Sequence, residues 1–317
     1  ADFSGSTNSG INMFRLRHAY VNMEWRTSEL LVGQYWTPLV LPEIMPGTRP
    51  LNMGVPFHPY SRYVQARFLQ HIGDFELIGV AAFQLDNKSS GPDGMNTQYL
   101  RHSCIPELTL QLRYNTDRVF VGAAYNLLVL QPRAFVVDSL SNTYKTNTKF
   151  ASHAFSVFGK YNFNKWAIKM QSVLGDNMDA HLLMGGYAES PLDYITHEYK
   201  YEPYGCLTAW VDFGRTAGKW RPGIFCGYAK NTGFKNAIDN DWNIYGRGID
   251  IDFLWRVQPR IGFYPTDFLN VFAEIEYTVA NYGENPDKHY HYNSSYSVAN
   301  TRFILSLVYF FNRYKVH

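Results

Sequence analysis

The sequence predicts an all-β fold, a transmembrane antiparallel β-barrel of 14–16 strands with 16 favoured. Apolar and polar residues alternate over stretches of roughly ten residues, as in strands with one greasy and one wet face. The connections between these stretches alternate between tight turns and long loops, the arrangement of outer-membrane barrels. Of 317 residues, 24 are Tyr, 22 Phe and 7 Trp, so 17% are aromatic while only 18% are charged. Mean hydropathy is −0.28. A chain that is polar on average yet rich in Tyr and Phe suits a barrel with a lipid face, a wet face and aromatic girdles.

Thirteen strands follow from the pattern. The first two, 11–24 and 29–37, flank a short turn near Trp25–Ser28. Strands 61–71 and 75–84 meet at Gly73-Asp74, a turn-forming pair. Strand 105–114 shows the alternation most clearly: Pro106, Leu108, Leu110, Leu112 and Tyr114 share one face, opposite Glu107, Thr109, Gln111 and Arg113. It turns at 115–117 into strand 118–129. Strands 150–163 and 165–174 join at Phe163-Asn164, and 204–213 and 219–229 join across Gly214–Gly218. Strand 246–262 turns at Tyr264–Asp267 into 268–281, where Leu269, Val271, Ala273, Ile275 and Tyr277 oppose Asn270, Glu274 and Glu276. The last strand, 297–312, puts Phe303, Leu305, Leu307, Tyr309 and Phe311 on one face. Between these hairpins lie the long loops 38–60, 85–104, 130–149, 175–203, 230–245 and 282–296, which belong on the outer side of the membrane.

The chain reads as one barrel domain over 1–317, N-terminally incomplete. Strands 11–24 and 297–312 both run toward the short-turn side, so an upward strand is expected before residue 11. Ala1–Phe3 reads as its tip and Ser4–Gly10 as the loop above it. An open sheet would leave unpaired backbone groups in lipid, at several kcal/mol each.

Other classes are poorly served. The longest apolar runs, Leu77–Phe83 and Phe303–Phe311, fall short of the ~18 residues of a spanning helix. No charged region followed by an apolar one opens the chain, so a signal peptide is expected to have been removed. A net charge of +2 gives no argument for nucleic acid. Three cysteines make no disulfide framework, and Cys206 and Cys226 fall on opposite faces. His289 and His291 lack a third ligand, so no metal is expected. No Gly-x-Ser-x-Gly, phosphate-loop or HExxH motif is present, and no cofactor or catalytic residue is implied.

In a barrel, chemistry is carried by inward side chains and by loops that fold into the lumen. Alternation points inward the bases Arg15, Arg17, Arg67, Arg113, Lys160, Lys169, Arg256 and Arg302, and the acids Glu107, Asp212, Asp250, Asp252, Glu274 and Glu276. At ~3.4 Å per residue, Arg15 and Arg17 lie near mid-barrel, at the height of Glu274 and Glu276, which suggests a basic wall facing an acidic one. A plainer reading pairs Arg256 with Glu274 and Glu276 in a neutral ladder. Loop 38–60 is stiffened by proline and carries apolar residues ill suited to water. It is expected to fold into the lumen as a constriction loop exposing Glu43 and Arg49, the rival being packing on the rim or on a neighbouring protomer. Tyr20, Tyr35, Trp36, Tyr114, Trp166, Trp220, Trp255 and Tyr309 are candidates for the interfacial belts.

Phe14–Tyr20 (FRLRHAY), Leu31–Trp36 (LVGQYW), the proline-rich loop after them and Arg62–Arg67 (RYVQAR) together resemble the DcaP-like porin family. The resemblance is sharpest over 11–70; beyond that only the rhythm of strands and loops matches. It implies a sixteen-stranded trimeric porin of the Gram-negative outer membrane, passing small and often anionic solutes. The chain departs from the family in lacking its N-terminal strands and in ending on Asn312–His317 instead of a terminal aromatic. The expected function is passive diffusion of small hydrophilic solutes, the expected partners being outer-membrane lipid, lipopolysaccharide, further copies in a homotrimer, the solutes and other envelope proteins. The alternatives are a plugged structural or interaction barrel, and a barrel enzyme recruiting His102 or His153 near the upper strand ends.

Overall fold

The computed structural model describes residues 2–6, 12–49, 53–138 and 140–311, with side chains from residue 16 onward. After β1 (Asp2–Ser6) and β2 (Asn12–Arg15), the strands of the wall are β3 (Ala19–Glu24), β4 (Ser28–Trp36), β5 (Arg62–Ile72), β6 (Phe75–Gln84), β7 (Glu107–Asn115) and β8 (Val119–Leu130). A hairpin of β9 (Phe135–Val137) and β10 (Thr143–Lys145) precedes β11 (Phe150–Phe163) and β12 (Trp166–Asp176). The chain continues with β13 (Gly185–Glu189), β14 (Tyr201–Arg215), β15 (Trp220–Phe234), β16 (Asn243–Arg247), β17 (Ile251–Phe263), β18 (Leu269–Pro286) and β19 (Tyr292–Tyr309). One short helix, α1 (Gln98–Ser103), lies in the loop after β6.

The thirteen strands expected from the sequence are successive neighbours in one antiparallel sheet, ordered β3-β4-β5-β6-β7-β8-β11-β12-β14-β15-β17-β18-β19. Each hydrogen-bonds to the next in the chain, as hairpins dictate. Among the described residues the sheet is open between β3 and β19.

The alternation works as the sequence requires. In β7, Leu110 and Leu112 are 56% and 54% exposed, while Gln111 and Arg113 between them are buried. In β19, Phe303, Leu305 and Leu307 are 67–80% exposed. A sheet that turns Leu and Phe outward and Gln, Arg and Glu inward is inverted relative to a water-soluble protein. Its outer surface matches a hydrocarbon solvent. Cys206 is buried and Cys226 exposed, on opposite faces, and both are free thiols.

Several expectations need correction. The stretch 11–24 is two strands interrupted at 16–18; β2 pairs with β1, whereas β3 pairs with β4. Strands run further toward the long-loop end than their apolar alternation suggests. β14 begins at Tyr201, β15 extends to Phe234, and the loop placed at 282–296 shrinks to 287–291. There Tyr204 and Phe234 pack with Ala188 and Ile238 instead of facing lipid, so the ladder continues without an alternating signal. β17 starts at Ile251, later than expected, because 243–247 form a separate strand that pairs with β13. Trp36 is no belt residue: it is buried, with the Arg62 guanidinium 3.8 Å from its ring centroid. Tyr35 lies opposite the buried Tyr63 and under Arg67.

Candidate functional site: a loop seated on the inner wall

The described residues of loop 38–60, 38–49 and 53–60, lie along the inner face of the sheet. On β7, Gln111 donates to the Pro38 carbonyl and Arg113 meets Glu43 at 3.4 Å. On β12, Gln171 donates to the Leu39 carbonyl at 2.9 Å and Lys169 Nζ to the Met45 carbonyl at 2.8 Å. The Gly47 amide donates to Asp212 of β14 at 3.1 Å, and the Arg49 amide to Glu274 of β18 at 3.1 Å. Arg256 of β17 donates to the Val55 carbonyl at 3.0 Å. Phe57 packs on Phe225 of β15, over Gly227, where a Cβ would come within 2.4 Å of the Phe57 ring.

These contacts require a curved wall. From β5 to β15 the sheet advances by seven strand spacings, about 34 Å if laid flat at ~4.8 Å each. The five steps from Phe57, whose ring lies over Gly227 of β15, to Arg62 of β5 span at most about 18 Å even when extended, well short of that separation with the reach of the ring added. The sheet therefore wraps around the loop. Backbone amides and carbonyls that would be orphaned inside the sheet find inward Gln, Lys, Arg and Asp side chains instead, as buried backbone must.

A second inward segment, 177–184, was not anticipated from the sequence. His181 meets Glu107 at 2.9 Å with both buried, Tyr63 donates to the Ala180 carbonyl at 3.2 Å, and the Tyr60 amide donates to the His181 carbonyl at 2.9 Å. Leu39, Leu41, Ile44 and Phe57 of the first loop join Met178, Leu183 and Met184 of the second, with Trp210, Phe225 and Leu254 of the wall, in one apolar cluster.

The candidate residues are distributed as follows. Arg15 belongs to β2 and its side chain lies outside the described residues. Arg17 approaches the Tyr60 hydroxyl at 3.5 Å. Arg67 donates to the Trp36 carbonyl at 2.9 Å and to Gln65. Arg113 is held by Gln111 at 2.8 Å between Glu43 and Glu76. Lys160 stands opposite Lys169 across β11 and β12. Glu276 is clasped by Arg256 at 3.5 Å and by Arg302 at 2.8 Å. Glu274 accepts from Gln258 at 2.7 Å as well as from the Arg49 amide. Among the described residues the acids thus share a wall with their bases, and no separate acidic wall faces a basic one across the interior. Arg256 opposes Thr278 and reaches Glu276 diagonally, while Arg260 is the residue opposite Glu274.

Arg260 is the functional side chain that sequence reasoning missed. It forms a bidentate pair with Asp212, at 2.7 and 2.9 Å. Its guanidinium passes over Gly47, Gly214 and Gly223, where an added Cβ would come within 2.4–2.9 Å. The parity that turns Arg256 inward also turns Arg260 inward, and these glycines were the accompanying signal. The histidines considered for an enzyme are not brought together: His153 bonds to the Tyr125 hydroxyl at 2.7 Å on the outward face. His289 and His291 lie against the carbonyls of Phe234 and Thr232.

His58 is fully buried, with its ring edge-on to Trp210 and neither ring nitrogen hydrogen-bonded among the described residues. Burial lowers its pKa from 6.5 to about 3, so it sits neutral in the seated loop. A folded pKa below the unseated value favours the unseated, protonated form as pH falls below 6.5. The loop seat should weaken by roughly 2 kcal/mol between pH 7 and 5. Limited proteolysis of the loop as a function of pH would measure this, and His58→Phe should abolish the dependence; equal protection at both pH values in the wild type would refute it.

No family model and no curated protein sequence matches the chain. Solved structures do. The outer-membrane channel DcaP of Acinetobacter baumannii superposes with a TM-score of 0.66 at 13% identity, covering 98% of this chain and 78% of that one. An anion-selective porin from Comamonas acidovorans gives 0.55 at 9% identity, covering 95% and 79%. OmpT of Vibrio cholerae gives 0.54 at 10% identity, covering 93% and 81%. At these identities the likeness speaks for the fold, and it agrees with the inverted sheet and its alternating connections: the chain has the fold of the DcaP-like outer-membrane porins, a transmembrane antiparallel β-barrel wall.

Proposed function

We propose that this chain forms the wall of an outer-membrane porin through which small hydrophilic solutes diffuse passively, with loop 38–60 as the constriction. The observation that carries this reading is the loop itself, seated by polar and charged side chains from five strands of the inner face. A loop held by the wall narrows a passage without being free to close it, and the charges beside it set the field that permeating ions meet. Arg67 and Lys169 donate to backbone carbonyls and have no ion-pair partner among the described residues, which favours anions. The anion-selective Comamonas porin supports this preference, and a solved trimer form of Vibrio cholerae OmpT supports assembly as a homotrimer.

A second reading is favoured by one observation. The apolar cluster of Leu39, Leu41, Ile44 and Phe57 with Met178, Leu183 and Met184 is a plug-like core inside the wall. An interaction barrel bound to other envelope proteins would use such a core. Planar-bilayer recording separates the two. The porin reading expects steady open current with a reversal potential on the anion side, shifted toward cations in Arg67→Ala/Lys160→Ala. Silence would favour the plugged barrel, and an unshifted reversal potential would remove these bases from selectivity.

A further inference from the structure

At the short-turn end of the wall, below the tip of loop 38–60, lies a cleft of about 240 Å³ bounded by the ends of β12, β14, β15 and β17 and by Phe272. Five cationic side chains line it, Arg49, Lys169, Arg215, Arg221 and Arg260, against one carboxylate, Asp212. Asp212 is already engaged by both terminal nitrogens of Arg260 and by the Gly47 amide. Among the described residues, none of the other four cations has an ion-pair partner. Glu274, the next acid, accepts from the Arg49 amide and from Gln258.

The guanidinium groups are also oriented. Arg49 lies 3.5 Å over the Phe272 ring and Arg221 lies 3.8 Å over the Tyr264 ring. Stacking occupies the face of a guanidinium and leaves its in-plane N–H groups directed outward, which is the geometry that grips a planar or tetrahedral oxyanion. Arg221 Nε is fixed on the Gly218 carbonyl at 3.0 Å, so its terminal nitrogens remain for a ligand. The tight turn at 216–219 and the bare backbone of Gly214 keep the cleft open between them.

We propose that this cleft is a binding station for small anions bearing a phosphate or carboxylate group, at the mouth opposite the long loops. Like charges crowded around one cleft repel one another, and an oxyanion relieves that repulsion while accepting several charge-assisted hydrogen bonds. Its role in traffic, as the last or first stop for a permeating anion, rests on the porin reading; the binding itself does not.

Isothermal titration of the detergent-solubilised protein with inorganic phosphate, at constant low ionic strength in chloride, tests the binding without any current being recorded. The expected result is saturable binding of one phosphate per chain. Arg215→Ala/Arg221→Ala should weaken it about tenfold or more, and Arg101→Ala, a cation of α1 at the long-loop end, should leave it unchanged. Arg221→Gln, which keeps bulk against Tyr264, serves as a milder variant should the double one misfold. Absence of saturable binding, displacement by equimolar chloride, or equal weakening by Arg101→Ala would overturn the proposal. A channel silent in bilayers that still binds phosphate would count against the porin reading alone.

Discussion

Replacing residues 43–57 with a short Gly-Ser bridge is expected to raise single-channel conductance at least about twofold and to flatten ion selectivity, since the proposed constriction and its charges go with the segment. The wall itself should survive. Loop 38–60 connects β4 to β5, and those strands pair directly over the whole of Ser28–Trp36 with Arg62–Gln70. Their register does not depend on the loop tip. The replacement takes away Ile44 and Phe57, which share an apolar cluster with Trp210, Phe225 and Leu254, so the variant should also become leakier to larger solutes. Planar-bilayer recording and liposome swelling with sugars of graded size measure both effects. A conductance equal to wild type would mean that ions take another route, and the loop would lose its assigned role.

The second large effect is expected from Asp212→Ala. Asp212 is 3% exposed and its carboxylate receives three hydrogen bonds, two from Arg260 and one from the Gly47 amide. Truncation leaves the Arg260 guanidinium without its counter-ion in a crowded site and unpins the loop tip at once. Breaking a buried pair from one side typically costs about 3–5 kcal/mol. That is enough to release the tip while the ladder of main-chain hydrogen bonds keeps the sheet folded. The expected signature is noisy, elevated conductance with an unchanged far-ultraviolet spectrum. Asp212→Ala/Arg260→Met removes both charges and should recover part of the quiet wild-type current. Should the double variant be as noisy as the single one, the ion pair would not be what holds the loop.

How much of this was legible in the sequence follows from range. In the stretch 105–114 the alternation of Leu with Thr, Gln and Arg specifies a strand, its lipid face and its wet face, because side chains on a strand repeat every two residues whatever lies beyond. The turns at Gly73-Asp74 and Gly214–Gly218 are local as well. That is why thirteen strands, their order and the inward direction of Arg113, Lys169, Arg256 and Glu274 could be read directly. The likeness of 11–70 to the DcaP-like porins pointed to the same fold that the solved structures share.

What only the tertiary structure decided is how segments far apart in the chain meet inside the wall. Nothing near Asp212 in the sequence announces Gly47 or Arg260, and nothing near Glu107 announces His181. These contacts exist because the sheet curls and brings β7 and β18 to the same loop, and curvature is a property of the assembled sheet that no single strand encodes. Prolines and apolar residues in 38–60 could say that the loop avoids water. They could not say which inward carboxylates, amides and guanidinium groups receive its backbone, since hydrogen bonds of that kind depend on height and register across strands more than a hundred residues apart.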